Sequence, residues 1–127
     1  MDEKLIFIVD DDKVILNLLE YTFKSREGYE VKTFGTGEDC LNNLGLNPDL
    51  IVLDHIFDRG GVTTMTGLET LKELRKSNQK VPVIILSGQE DCSLVSEFSK
   101  NGASKYIAKS DFFVDNLIES VELALPM

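Results

Sequence analysis

At 127 residues the chain is the length of a single domain, and with 43% apolar residues it is globular in composition and can bury a core without disulfides or a structural metal. A net charge of −9 weighs against nucleic acid and anionic lipid as partners. No apolar run approaches the ~18 residues of a membrane span, and MDEKLIFIV lacks the flanks of a signal peptide, so the expected location is cytoplasmic.

Five short β-type runs alternate with helical patterns. LIFIV (5–9) opens the series, and its helix should turn Val14, Ile15, Leu18, Leu19, Thr22 and Phe23 inward until Gly28 stops it. EVKTF (30–34) is more polar and reads as an edge strand. Thr36 can cap a short helix bearing Cys40, Leu41 and Leu44, which Gly45 and Pro48 should end. LIVL (50–53) is followed by a long loop, then by a helix from about Gly67 with Leu68, Leu71 and Leu74 inward. After VPVIIL (81–86), a helix over 91–100 offers only Leu94, Val95 and Phe98 as sizeable apolar residues. SKYIA (104–108) precedes a last helix with Val114, Leu117, Ile118 and Val121 on one face, which Asp111 can cap. Cys40 and Cys92 fit no metal-ligand spacing and read as free thiols, Cys40 semi-buried.

Strand–helix alternation predicts an α/β fold over residues 1–127: a doubly wound, flavodoxin-like, five-stranded parallel sheet of order 2-1-3-4-5 with helices on both faces. Ligands of such sheets sit beyond the carboxyl ends of the strands. Strand one ends in Asp10, Asp11 and Asp12, strand three in Asp54, strand four in Ser87 and strand five in Lys109. The fold thus delivers carboxylates, a hydroxyl and an ammonium to one rim. Two carboxylates ~4 Å apart repel by about 4 kcal/mol at an effective dielectric near 20. Such a cluster must protonate or bind a hard cation, and Mg²⁺ suits all-oxygen ligands. With Lys109 beside it, the rim suits phosphoryl chemistry, and Asp54 is the natural nucleophile for an aspartyl phosphate. Asp12 has the blander role of helix cap.

Four segments, IVDDD (8–12), DLIVLD (49–54), VIILSG (83–88) and KYIAK (105–109), stand in order at the strand ends, and through them the chain resembles the receiver domain of two-component response regulators over its whole length. The resemblance implies that Asp11 binds Mg²⁺ directly and Asp10 through water or as a second ligand. Asp54 is then the phosphoacceptor and the carbonyl of Ile56 a third protein ligand. It further implies that Ser87 hydrogen-bonds the phosphoryl group, that Tyr106 changes rotamer with it, and that Lys109 is the site's lysine. The implied donors are a histidine kinase, a histidine phosphotransfer protein or a small acyl phosphate. The implied output is an effector docking on the surface of the fourth helix, fifth strand and fifth helix. The module so implied is a phosphoacceptor and not a turnover enzyme. Two departures stand out: Ser110 where the family usually has proline, and a long stretch DHIFDRGGVTTMTG (54–67), expected to lean beside the site and tune partner choice or phosphoryl lifetime.

Other readings of the same residues are a haloacid-dehalogenase-type phosphatase with Asp10 as nucleophile, and a docking module that is never phosphorylated. His55 beside Asp54 invites a general-base role, but strand alternation turns neighbours to opposite sides. With the last helix ending at Met127, no output domain is expected within this sequence.

Overall fold

The computed structural model describes residues 3–54, 66–77, 80–87, 92–109 and 112–125, with the backbone alone for 92–94. The elements are β1 (Lys4–Val9), α1 (Lys13–Lys24), β2 (Tyr29–Phe34), α2 (Gly37–Asn42), a 3-10 turn (Leu44–Leu46), β3 (Leu50–Asp54), α3 (Gly67–Ser77), β4 (Val83–Ser87), α4 (Cys92–Lys100), β5 (Lys105–Ala108) and α5 (Phe113–Ala124). The sheet is parallel throughout, in the expected order β2-β1-β3-β4-β5. Every residue of β3 and β4 is buried, as continuous apolar runs in central strands require. Polar β2 lies at an edge with Glu30 and Lys32 exposed.

Alternate strand residues feed two cores, one on each face of the sheet. Ile6, Ile8, Leu50, Val52, Ile84 and Leu86 meet Leu19 and Phe23 of α1 and Leu117 and Val121 of α5. On the other face Phe7, Val9, Ile51, Leu53, Val83 and Ile85 meet Cys40, Leu71, Leu74 and Phe98. Phe7 and Phe34 pack edge to face with centroids 4.8 Å apart.

Several expected details change. In α1 the buried stripe is Leu19 and Phe23 with Ile15 and Leu16 half-buried, whereas Val14 is 73% and Leu18 41% exposed. The reason is angular: an i, i+4 row drifts around the helix, and α1 turns only one edge of that row onto the sheet. Helix α2 stops at Asn42, earlier than Gly45. The 3-10 turn takes over, and Asn47 in the left-handed region (φ 58°) ends it. Thr36 does cap α2, its hydroxyl accepting the Asp39 N–H at 3.1 Å. Gly28 at φ 96° turns the chain out of α1 toward β2. The cap position of α5 is Phe112, which offers no side-chain hydrogen bond; Asp111 lies outside the described residues. Cys40 is fully buried rather than semi-buried, and desolvation pushes its thiol up to about 12, so it is an inert core group.

Gly37 marks the closest approach of α2 to α3. A Cβ there would land on the Thr70 hydroxyl and 3.0 Å from the Thr70 Cβ, in a place where Thr70 is itself buried and bonded to the Thr66 carbonyl. Rotating the hydroxyl away leaves the Cβ contact, so the helices must part. Gly37→Ala should cost about 1–3 kcal/mol despite alanine's better helix propensity, read as a lowered urea midpoint at unchanged m-value.

Candidate functional site

The four rim segments converge as the topology dictates. Asp10 follows β1 and is 1% exposed; Asp54 ends β3 and is 4% exposed; Ser87 ends β4 and is buried; Lys109 follows β5 and is half-buried. The Lys109 Nζ donates to Asp54 Oδ1 at 2.7 Å and to Asp10 Oδ2 at 3.2 Å, tying three strands together at one point. Its own backbone N–H donates to the Ser87 carbonyl at 2.7 Å, which places the end of β4 in the same corner.

The turn after β1 is built by its own acids. Asp10 Oδ1 accepts the Asp12 N–H at 2.9 Å, an Asx turn that fixes the carboxylate. Asp12, in extended conformation, accepts the Val14 N–H at 2.9 Å and caps α1, the role expected of it. The three adjacent aspartates therefore divide their work: one is buried and locked, one half-exposed at the pocket, one capping a helix.

Asp10, Asp11 and Asp54 can each bring a carboxylate oxygen within 4.8 Å of the other two. Burial dominates the electrostatics. Desolvation raises the Asp54 carboxyl to about 7; the hydrogen bond from Lys109 opposes this, and the charge of Asp10 adds to it. Asp10 is also raised by burial, with the Asp12 N–H pulling the other way. Burial works against the charge of Lys109, but the hydrogen bond and charge of Asp54, then those of Asp10, outweigh it, and the lysine is held firmly protonated. With all three carboxylates ionised, the single ammonium of Lys109 would leave the pocket net negative. A hard divalent cation with oxygen ligands fits that donor set and would release the carboxyl protons.

The structure thus brings together Asp10, Asp11, Asp54 and Lys109, with Ser87 at the adjoining strand end. Tyr106 is half-buried on β5, its ring 5.8 Å from that of Phe98. Ile56, His55, Ser110 and most of the long stretch, 55–65, lie outside the described residues. The sequence reading missed the bond between Lys109 and Asp10, having assigned Asp10 to the metal alone. It also missed the Asx turn, for which the DDD spacing was the available signal.

The sequence model of the response regulator receiver domain matches residues 6–122. Sporulation initiation phosphotransferase F of Bacillus subtilis (strain 168) is 30% identical over 128 residues, spanning 100% of this chain and 97% of that protein. Alkaline phosphatase synthesis transcriptional regulatory protein PhoP of the same strain is 34% identical over 112 residues, spanning 84% of this chain but 42% of PhoP. The chain therefore covers less than half of that relative. The receiver domain of Francisella response regulator 1452 superposes with a TM-score of 0.83 at 30% identity over 96% of both chains. Chemotaxis protein CheY4 of Vibrio cholerae gives 0.84 at 24% identity, covering 97% of this chain and 99% of that one, a likeness of fold. Receiver domains are phosphoacceptor signalling modules and not turnover enzymes, and no helix of the described residues is long and apolar enough to cross a membrane. Together with the convergence of Asp10, Asp54 and Lys109, the match over residues 6–122 means that this chain belongs to the receiver domain family of two-component response regulators.

Proposed function

We propose that the protein accepts a phosphoryl group on Asp54 from a phosphohistidine of a histidine kinase or phosphotransfer protein, in the cytoplasm and in the presence of Mg²⁺. The observation that carries this reading is the Lys109 ammonium held between Asp54 Oδ1 and Asp10 Oδ2 in a corner where both acids are buried. Asp10, Asp11 and Asp54, with the carbonyl of Ile56, would hold the cation, whose chemistry is to neutralise charge on the transferring phosphoryl oxygens. Lys109 fixes one oxygen of Asp54 and leaves the other to attack phosphorus. The P–N bond of the donor breaks as the P–O bond forms, and the leaving imidazole takes up a proton. Ser87 would then donate to a phosphoryl oxygen and Tyr106 would change rotamer with it. The surface of α4, β5 and α5 would be remodelled for an effector. The stretch 54–67 would tune partner choice or phosphoryl lifetime.

Asp10 is the poorer nucleophile because both its oxygens are engaged, Oδ1 by the Asp12 N–H and Oδ2 by Lys109. Incubation with acetyl phosphate and Mg²⁺, followed by peptide mapping, tests the assignment. A single phosphoryl adduct on Asp54 is expected. An adduct on Asp10 would overturn it in favour of the phosphatase chemistry, and no adduct at all would leave only a docking role.

A further inference from the structure

Strand β2 is an edge with a self-complementary face. Among the described residues it pairs with β1 alone. The Lys4 N–H donates to the Gly28 carbonyl at 2.8 Å and the Asp10 N–H to the Phe34 carbonyl at 3.0 Å. Between these ends the register is unbroken, Lys4 opposite Tyr29 through Val9 opposite Phe34. Backbone groups of successive strand residues point to opposite edges. Glu30, Lys32 and Phe34 therefore aim at β1, and the N–H and C=O groups of Tyr29, Val31 and Thr33 aim outward. These six groups make no backbone hydrogen bond to another described residue. The side chains of Glu30 and Lys32 are exposed on the face opposite α1, while Tyr29 and Val31 are buried beneath α1.

We propose that β2 is a homodimerisation edge, and that a second copy of this chain adds its own β2 antiparallel about a two-fold axis at Val31. The register follows from two independent requirements. Outward-facing residues must meet as hydrogen-bonded pairs, and opposite charges must meet between them. Pairing Val31 with Val31 of the partner copy satisfies both. Tyr29 then exchanges hydrogen bonds with Thr33 of the partner copy, and the reverse. Glu30 falls opposite Lys32 of the partner copy, twice by symmetry, in the closer non-hydrogen-bonded position where Cβ atoms are ~5 Å apart. A slip of two residues either way sets Glu30 against Glu30 or Lys32 against Lys32, so like charges reject the neighbouring registers. The two sheets become one of ten strands, through an isologous contact that closes on itself and leaves only the two β5 edges. Recognition here needs neither the acid pocket nor the surface of α4, β5 and α5, so it stands whether or not Asp54 is phosphorylated.

Sedimentation of the intact protein from micromolar to near-millimolar concentration, in low salt, tests the proposal. A concentration-dependent dimer is expected, with the amides of Tyr29, Val31 and Thr33 gaining exchange protection as it forms. Lys32→Glu and Glu30→Lys, both at exposed sites, should each weaken the dimer at least about tenfold. The double variant Glu30→Lys/Lys32→Glu should restore it, because the swapped pairs are again opposite. A protein that stays monomeric throughout overturns the proposal. So does a dimer that ignores both single variants or is not rescued by the double one, since the contact must then lie elsewhere.

Discussion

Exchanging Asp54 for asparagine should abolish covalent phosphoryl uptake from acetyl phosphate while making the metal-free protein more stable at alkaline pH. The first effect is chemical: an amide in place of the carboxylate cannot form an acyl phosphate, so the mass shift seen with wild type should vanish. The second follows from burial. The Asp54 carboxyl is raised to about 7 in the folded protein from an ordinary value of 3.8. Folded protein therefore binds more protons than unfolded chain between about pH 4 and pH 7, and the associated stability is present at acid pH and lost as pH rises through 7. In EDTA, wild type should lose on the order of 2–4 kcal/mol across that window, and Asp54→Asn should flatten the fall. Urea unfolding at pH 5 and pH 8 measures it. Equal pH dependence in the two proteins would show that the ionised Asp54 costs the fold nothing. Lys109→Ala provides the contrast. It keeps the nucleophile but removes its cationic partner, so uptake should slow by about 10²–10³-fold without disappearing.

The second large effect is expected in α4. Among its described side chains Val95 is 41% exposed, residues 96, 97, 99 and 100 are exposed, and Phe98 alone is fully buried. The Phe98 ring packs against Tyr106 and into the core shared by Leu71, Leu74 and Ile85. Phe98→Ala should cost about 3–5 kcal/mol, the range for losing a buried aromatic together with the cavity left behind. With no other buried anchor described in the helix, the loss should be local as well as global. Amides of α4 should exchange faster by a larger factor than those of β3. Uniform acceleration across both would mean that α4 unfolds only with the whole domain. If Tyr106 is the residue that responds to phosphoryl on Asp54, the same variant should also blunt the change in Tyr106 fluorescence on phosphorylation.

The fold was legible because its central strands announce themselves. IFIV, LIVL and VIIL are buried on both sides and need no polar alternation, and polar EVKTF reads as an edge. The rim followed from topology, since parallel strands deliver their next residue to the same end. Sequence could not say how that rim divides its charges. A lysine that follows β5 meets whichever acids the sheet twist brings nearest, and it bridges Asp10 as well as Asp54. Exposure in α1 was misread for a related reason. Val14 and Leu18 share the periodicity of the core stripe, and only the placement of the helix on the sheet decides which edge of the stripe is covered.

The bond from Lys109 to Asp10 spans 99 residues of sequence and that to Asp54 spans 55. Closing such long loops is among the slower and later events in assembling a domain. The acids precede Lys109 in the sequence, so the pocket gains its counterion only once the last strand docks. Competence to receive a signal is thereby coupled to completion of the sheet.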